Sequence, residues 1–197
     1  MTVALEFWFD PTCPFTWRTS RWARELEQVG LARVEWKLMS LGILDEGREM
    51  PEEYREGQVR AGRYLRALAA AGEQGGSDAV GRLYDALGTL LHERGEHLAD
   101  DVLIRSVEET GLDGSVADAA DDEGRDAAVR ASHEQAQRRV GTESGSPVTA
   151  YDGGPAFFGP VVAPAPTGEE AATLLTAMSS LGAVSAFSEL KRSRNPL

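Results

Sequence analysis

Two β-rich segments near the start of the chain, VALEFWF (residues 3–9) and RVEWKLM (33–39), are separated by one stretch with helical spacing. In TWRTSRWARELEQVG, Trp22, Leu26 and Val29 recur at roughly helical intervals, and Gly30 is a good C-terminal stop. Strand, helix, strand within forty residues is a βαβ unit, which in a single sheet is parallel and right-handed. Asp10-Pro11 closes the first strand.

From about residue 50 to 140 the text is helical. EEYREGQVRAGRYLRALAAAG, SDAVGRLYDALGTLLHERG, LADDVLIRSVEETG and DEGRDAAVRASHEQAQRRVG carry helical periodicity between glycine-containing breaks, with AAGEQGGS (70–77) read as a loop. ADAADDEGRD (117–126) reads as a short acidic helix end and turn. β character then returns. A strand from about Val148 to Tyr151, a turn through Asp152-Gly153-Gly154 and a strand around Ala156–Phe158 make a hairpin. A last helix, GEEAATLLTAMSSLG, has Thr167 as candidate N-cap and Glu169 and Glu170 at its positive end. This order predicts an α/β thioredoxin fold formed by residues 1–49 and 141–197, with an all-helical domain inserted at 50–140.

The chain of 197 residues is long enough for a proper core, and no apolar run reaches the length of a membrane span. The N-terminus has neither the basic nor the apolar region of a signal peptide. A net charge of -12 argues against nucleic acid or an anionic membrane as partner. One cysteine and three histidines make a structural zinc site improbable, and no metal is expected. A single thiol requires no oxidising compartment, so cytoplasm is the default. No glycine-rich phosphate motif supports a tightly bound nucleotide or flavin.

That one cysteine, Cys13, lies in FWFDPTCPFTW, between the first strand and the first helix, and Pro14 follows it. Backbone N–H groups and the helix dipole favour negative charge there, and proline suits the first helical position. A thiol so placed is expected to have a lowered pKa and a nucleophilic thiolate. The alternative is a small buried hydrophobe, which free cysteines often are. Gly145-Ser146-Pro147-Val148 is the second piece: a proline before the hairpin strand lies where thioredoxin folds hold a cis-proline beside the reactive cysteine. The Ser146 backbone would then pair with an extended thiol ligand.

FWFDPTCPFTWRTSRW, MSLGILDEGREMPEEYREG, SPV and AFFGPV, in that order, resemble the DsbA-like thioredoxin-fold family. Within it they are most similar to the actinobacterial mycothiol-dependent (nitro)reductases, over residues 5 to about Arg194, including SELKR. Kappa-class glutathione transferases and 2-hydroxychromene-2-carboxylate isomerases share the architecture more distantly. The resemblance implies that Cys13 is the attacking cysteine and Pro147 the cis-proline. It also implies that Phe15, Asp45 and Tyr54 line a substrate pocket, with Pro14, Trp17 and Ser146 beside the thiol site. Mycothiol, a low-molecular-weight thiol, would be the cosubstrate, and an electrophilic small molecule or a disulfide the substrate. A homodimer is common in such families, and the periodicity is silent on it.

Thr16 is the departure: it occupies the position of the resolving cysteine. With no second cysteine, internal attack cannot clear a mixed disulfide, so an external thiol must. The Thr16 hydroxyl could instead donate to the Cys13 thiolate. The same departure leaves open thiol conjugation or isomerisation, and a non-catalytic binding module. Among other residues, His92 reads as structural, late in a helix, and His97 and His133 as exposed. Arg55, Arg60, Arg63 and Arg66 read as a solvated, ion-paired face, and Trp8, Trp17, Trp22 and Trp36 as mostly core.

Overall fold

The computed structural model describes residues 2–141 and 143–193; Arg194, the end of the resemblance, lies outside them. In chain order the elements are β1 (Val3–Phe9), α1 (Pro14–Gln28), β2 (Ala32–Leu38), α2 (Leu41–Leu44) and α3 (Glu52–Gly88). A π-helical turn (Thr89–Glu93) extends α3. There follow α4 (Asp100–Thr110), α5 (Ser115–Asp118), two 3-10 turns, α6 (Asp126–Val140), β3 (Val148–Tyr151), β4 (Ala156–Phe158) and α7 (Gly168–Gly182). The sheet order is β2-β1-β3-β4, with β1 and β2 parallel and the other pairs antiparallel. This is the thioredoxin arrangement that the sequence order predicts, with the helical stretch running between β2 and β3.

Alternation along β1 divides the core. Leu5, Phe7 and Phe9 join the large cluster with Trp22, Leu26, Trp36 and Tyr84, where the Phe9 and Tyr84 rings stack at 3.9 Å. Trp8 faces the other way, into a smaller cluster with Met39, Ala136, Val148, Ala150 and Ala156. Its ring lies beneath Lys37 and Arg139, both paired with Glu6. Burying side chains of this size contributes about 1.5–3 kcal/mol each.

Helix α1 begins with Pro14 at its first turn and ends in a Schellman motif. Gly30 takes φ +74°, its N–H donates to Glu27 O, and Leu31 N–H donates to Leu26 O. In the hairpin, Asp152 and Gly153 both take positive φ, as the tight turn between right-twisted strands requires. Asp152 Oδ1 also accepts from Ala4 N at 2.9 Å, tying the turn to β1.

Three expectations are corrected. The loop read at 70–77 is helical except at Gly75 and Gly76, because the buried alanines before it sustain the helix and Ser77 Oγ then accepts from Trp36 N at 2.7 Å. The far half of α3 thereby lies on β2. His133 is buried rather than exposed: α6 crosses the end of β2, where Ser132 Oγ donates to Leu38 O. His133 Nδ1 accepts from Ser40 N at 3.3 Å. Thr167 stands at the start of α7, but its side chain makes no capping bond. The arginine face is as read: Arg55 pairs with Glu52, Arg60 with Glu56, Arg63 with Asp100 and Asp121, and Arg66 with Asp126.

Candidate thiol site

The turn Asp10–Thr12 carries the chain from the end of β1 to Cys13, the N-cap residue of α1. Cys13 N–H donates to Asp10 O at 3.2 Å, and Cys13 O accepts from Trp17 N at 3.0 Å. The Cys13 thiol donates to the carbonyl oxygen of Ser146 at 3.6 Å. The Ser146-Pro147 peptide is cis. The Ser146 backbone that the sequence offers to a ligand is therefore partly engaged, through its carbonyl, by the protein's own thiol. Ser146 Oγ accepts from Asp10 N at 3.0 Å and is bonded to Thr16 Oγ1 at 2.7 Å. Thus the structure brings Cys13, Thr16, Ser146 and Pro147 together.

The lowered thiol pKa expected from the helix start is not found. Burial pushes the Cys13 thiol up, and the nearby Asp10 charge adds to this. The Thr16 hydroxyl and the N–H groups of Thr16 and Phe15 pull it down, but by less. A sequence shows that a cysteine starts a helix; it does not show how little water reaches the sulfur.

Asp10 was not singled out from the sequence, yet it organises the site. Its side chain is fully buried, Oδ1 accepts from Thr12 N at 2.8 Å and Thr12 Oγ1 at 2.6 Å, and Oδ2 accepts from Leu41 N at 2.7 Å. Burial raises its pKa against these donors. Because Leu41 opens α2, which ends at Asp45, Asp10 links the cysteine turn to the expected pocket wall. Asp45 Oδ2 accepts from Tyr54 Oη at 2.8 Å, and Arg48 donates to Oδ1 at 3.1 Å. Burial and then the bond to Asp45 push the Tyr54 hydroxyl up to about 12.

The remaining site residues separate by depth. Pro14 is exposed and Phe15 half-buried, so both can meet a ligand. Trp17 is 1% exposed and belongs to the wall behind the site rather than its surface. Its ring stacks on His92, meets Tyr84 edge-on and lies under the Arg21 guanidinium. His92 Nε2 bonds to Pro11 O at 2.8 Å, which places it against the cysteine turn. Burial lowers its pKa. No helix among the described residues is long and apolar enough to cross a membrane.

A parallel strand pair, an antiparallel hairpin entered through a cis-proline and a cysteine at the first helix start define a DsbA-like thioredoxin-fold protein. The fold is shared with the disulfide bond oxidoreductase DsbG of Mycobacterium tuberculosis, at a TM-score of 0.53 and 13% identity over 90% of this chain and 85% of that one. It is shared too with a 2-hydroxychromene-2-carboxylate isomerase, at a TM-score of 0.62 and 14% identity over 91% and 95%. Residues 12–192 match the Rv2466c-like family, described as mycothiol-dependent nitroreductase Rv2466c, and the chain belongs to that family. The uncharacterized protein Rv2286c of Mycobacterium tuberculosis is 30% identical over 98% of this chain and 84% of its own length. Family membership implies a low-molecular-weight thiol as cosubstrate.

Proposed function

We propose that the protein is a cytoplasmic, mycothiol-dependent oxidoreductase that works with one thiol. The observation that carries this is the placement of its only cysteine at the start of α1, against Ser146 and cis-Pro147, with Thr16 one turn on. The Cys13 thiolate attacks one sulfur of R–S–S–R′, forms Cys13–S–S–R and releases R′S⁻. A second thiolate, R″S⁻, attacks the sulfur of R, forms R–S–S–R″ and returns the Cys13 thiolate. For an electrophilic small molecule, the two electrons come from two thiols, which leave as their disulfide. Phe15 and the Asp45–Tyr54 pair line the substrate side in this reading. No tightly bound cofactor is needed for either sequence of steps.

Intact-mass analysis after exposure to oxidised mycothiol tests it, with glutathione disulfide and Cys13→Ser as controls. Addition of one mycothiol, reversed by reduced mycothiol and absent from Cys13→Ser, is expected. No adduct with either disulfide would remove the reductase reading. Thr16 in the resolving position favours one second reading, thiol conjugation or isomerisation. A stable thioether or isomer formed with no net thiol oxidation would establish it.

A further inference from the structure

Helix α3 reaches the thiol site twice. Near its start Tyr54 donates to Asp45 at 2.8 Å, and the π-helical turn that extends it carries His92 to the cysteine turn. An unbroken helix over Glu52–Gly88 would span about 55 Å, so the break at Gly75 and Gly76 is what lets both ends meet one site. In the π-helical turn Arg94 N–H donates to Thr89 O, five residues back, at 3.1 Å. Such turns are uncommon and are frequent at functional sites.

His92 touches the chain on both sides of Cys13. Pro11, two residues before the cysteine, is buried, so its carbonyl needs a donor from within the protein. His92 Nε2 lies 2.8 Å from that oxygen, and because a carbonyl only accepts, the proton is on Nε2. Four residues after the cysteine, the Trp17 ring stacks on the imidazole with centroids 5.8 Å apart, and Trp17 N–H donates to Cys13 O at 3.0 Å. Gly88, one turn before His92, admits Trp17 to this place, since a Cβ there would stand 2.0 Å from Trp17 Cζ3.

We propose that His92 is a positioning residue for the nucleophile: by its bond to Pro11 O and its stack on Trp17, the end of the helical block holds the Cys13 turn in the geometry that disulfide exchange needs. The inference rests on the reading of Cys13 as the nucleophile and adds what fixes its backbone. Asp10 braces the turn from the strand side, through Thr12 and Leu41. His92 braces it from the helical side. Without the imidazole bond the thiol remains, but its direction towards Ser146 and cis-Pro147 is no longer held. Exchange through three aligned sulfurs depends on that direction. Alkylation by a small reagent, which approaches from any open side, does not.

The test compares two variants of the full chain: His92→Phe, which keeps a ring and removes the donor, and His92→Gln, whose amide nitrogen can still donate to Pro11 O. Val107→Ala, a core truncation in α4, shows what destabilisation alone does. The amides of Thr12, Cys13 and Trp17 are all bonded inside the turn, and in His92→Phe they should exchange with deuterium about tenfold faster, the worth of one hydrogen bond. Adduct formation with oxidised mycothiol should slow about tenfold in the same variant, while alkylation by iodoacetamide does not slow. His92→Gln should recover most of both losses, and Val107→Ala should leave both readouts at the parent values. If His92→Phe does not fold, as judged by near-ultraviolet circular dichroism, His92→Ala is set against His92→Gln in its place. Parent-like exchange and adduct rates in His92→Phe would overturn the inference. So would a His92→Gln protein no closer to the parent than His92→Phe, or the same changes in Val107→Ala. A parent that forms no adduct removes the mycothiol reading alone, and deuterium exchange at the three amides still decides the role of His92.

Discussion

Gly88, at the end of α3, is the position where one added carbon should cost most. A Cβ built there would lie 2.0 Å from Trp17 Cζ3 and 2.2 Å from Cε3, well over an ångström short of ordinary contact. The ring has no room to retreat: it is held by Tyr84 at one edge, His92 on a face and Arg21 at 3.7 Å from its centroid. Overpacking of this kind costs about 1–3 kcal/mol and sometimes more, and relief of glycine's poor helix propensity returns at most about 1 kcal/mol. Gly88→Ala should therefore destabilise by about 2 kcal/mol, or about 4–8 °C in Tm for a chain of this size. Urea denaturation and thermal melting measure it directly. Trp17 N donates to Cys13 O at 3.0 Å, so displacement of Trp17 should also change the Cys13 alkylation rate in the folded variant. A Gly88→Ala protein as stable as the parent would refute the reasoning, because it would mean that α3 can move off α1 at no cost.

Three further outcomes follow from the site. Because burial raises the Cys13 pKa, its alkylation rate should keep rising above the ordinary thiol value of about 8.5, and a plateau below pH 7 would contradict this. Burial lowers the pKa of His133, so below about 6.5 the unfolded chain binds more protons than the folded one and stability falls as pH falls. His133→Asn should flatten the drop in urea midpoint between pH 7.5 and 5, and an unchanged slope would assign the loss to other groups. Thr16→Cys should supply the missing resolving thiol, so that a Cys13 mixed disulfide decays without added thiol and releases its partner; persistence of the adduct by mass would show that position 16 cannot reach it.

What the sequence makes legible here is what local chemistry encodes. Val3–Phe9 and Ala32–Leu38 are written in strand residues, Pro14 and Gly30 bracket α1, and Asp152-Gly153 needs only its own backbone to turn. Cys13 and Pro147 stood out because a lone thiol before a helix and a proline before a strand are visible without partners. Asp10 did not stand out, because its role lies in Leu41, 31 residues away, and Ser146, 136 residues away. His133 misled for the same reason: its polar neighbours in sequence say nothing of β2, whose end it meets. Gly75 and Gly76 do break α3, as two adjacent glycines usually do, but the loop read from residue 70 narrows to that pair because the buried alanines before it keep the helix going.

The raised thiol removes the argument for reactivity that the helix start offered, but it does not remove the reaction. Above ambient pH, each unit of thiol pKa cuts the thiolate tenfold. The surviving thiolate is more nucleophilic with a Brønsted slope of about 0.4–0.5, so exchange slows only about three- to fourfold per unit. Correct placement of two reacting groups is worth orders of magnitude more. Asp10 fits that balance. Its charge disfavours the thiolate, while its bonds to Thr12, Leu41 and Ser146 fix three chain segments around the sulfur. The same shift acts on the second step. A thiol of high pKa is a poor leaving group, so the attack that expels Cys13 and completes each turnover is slowed. With Thr16 unable to attack from within, Cys13–S–S–R should persist until a second thiol arrives. A site of this construction selects for an abundant small thiol as its reductant, since only concentration can hasten the step that its own chain cannot perform.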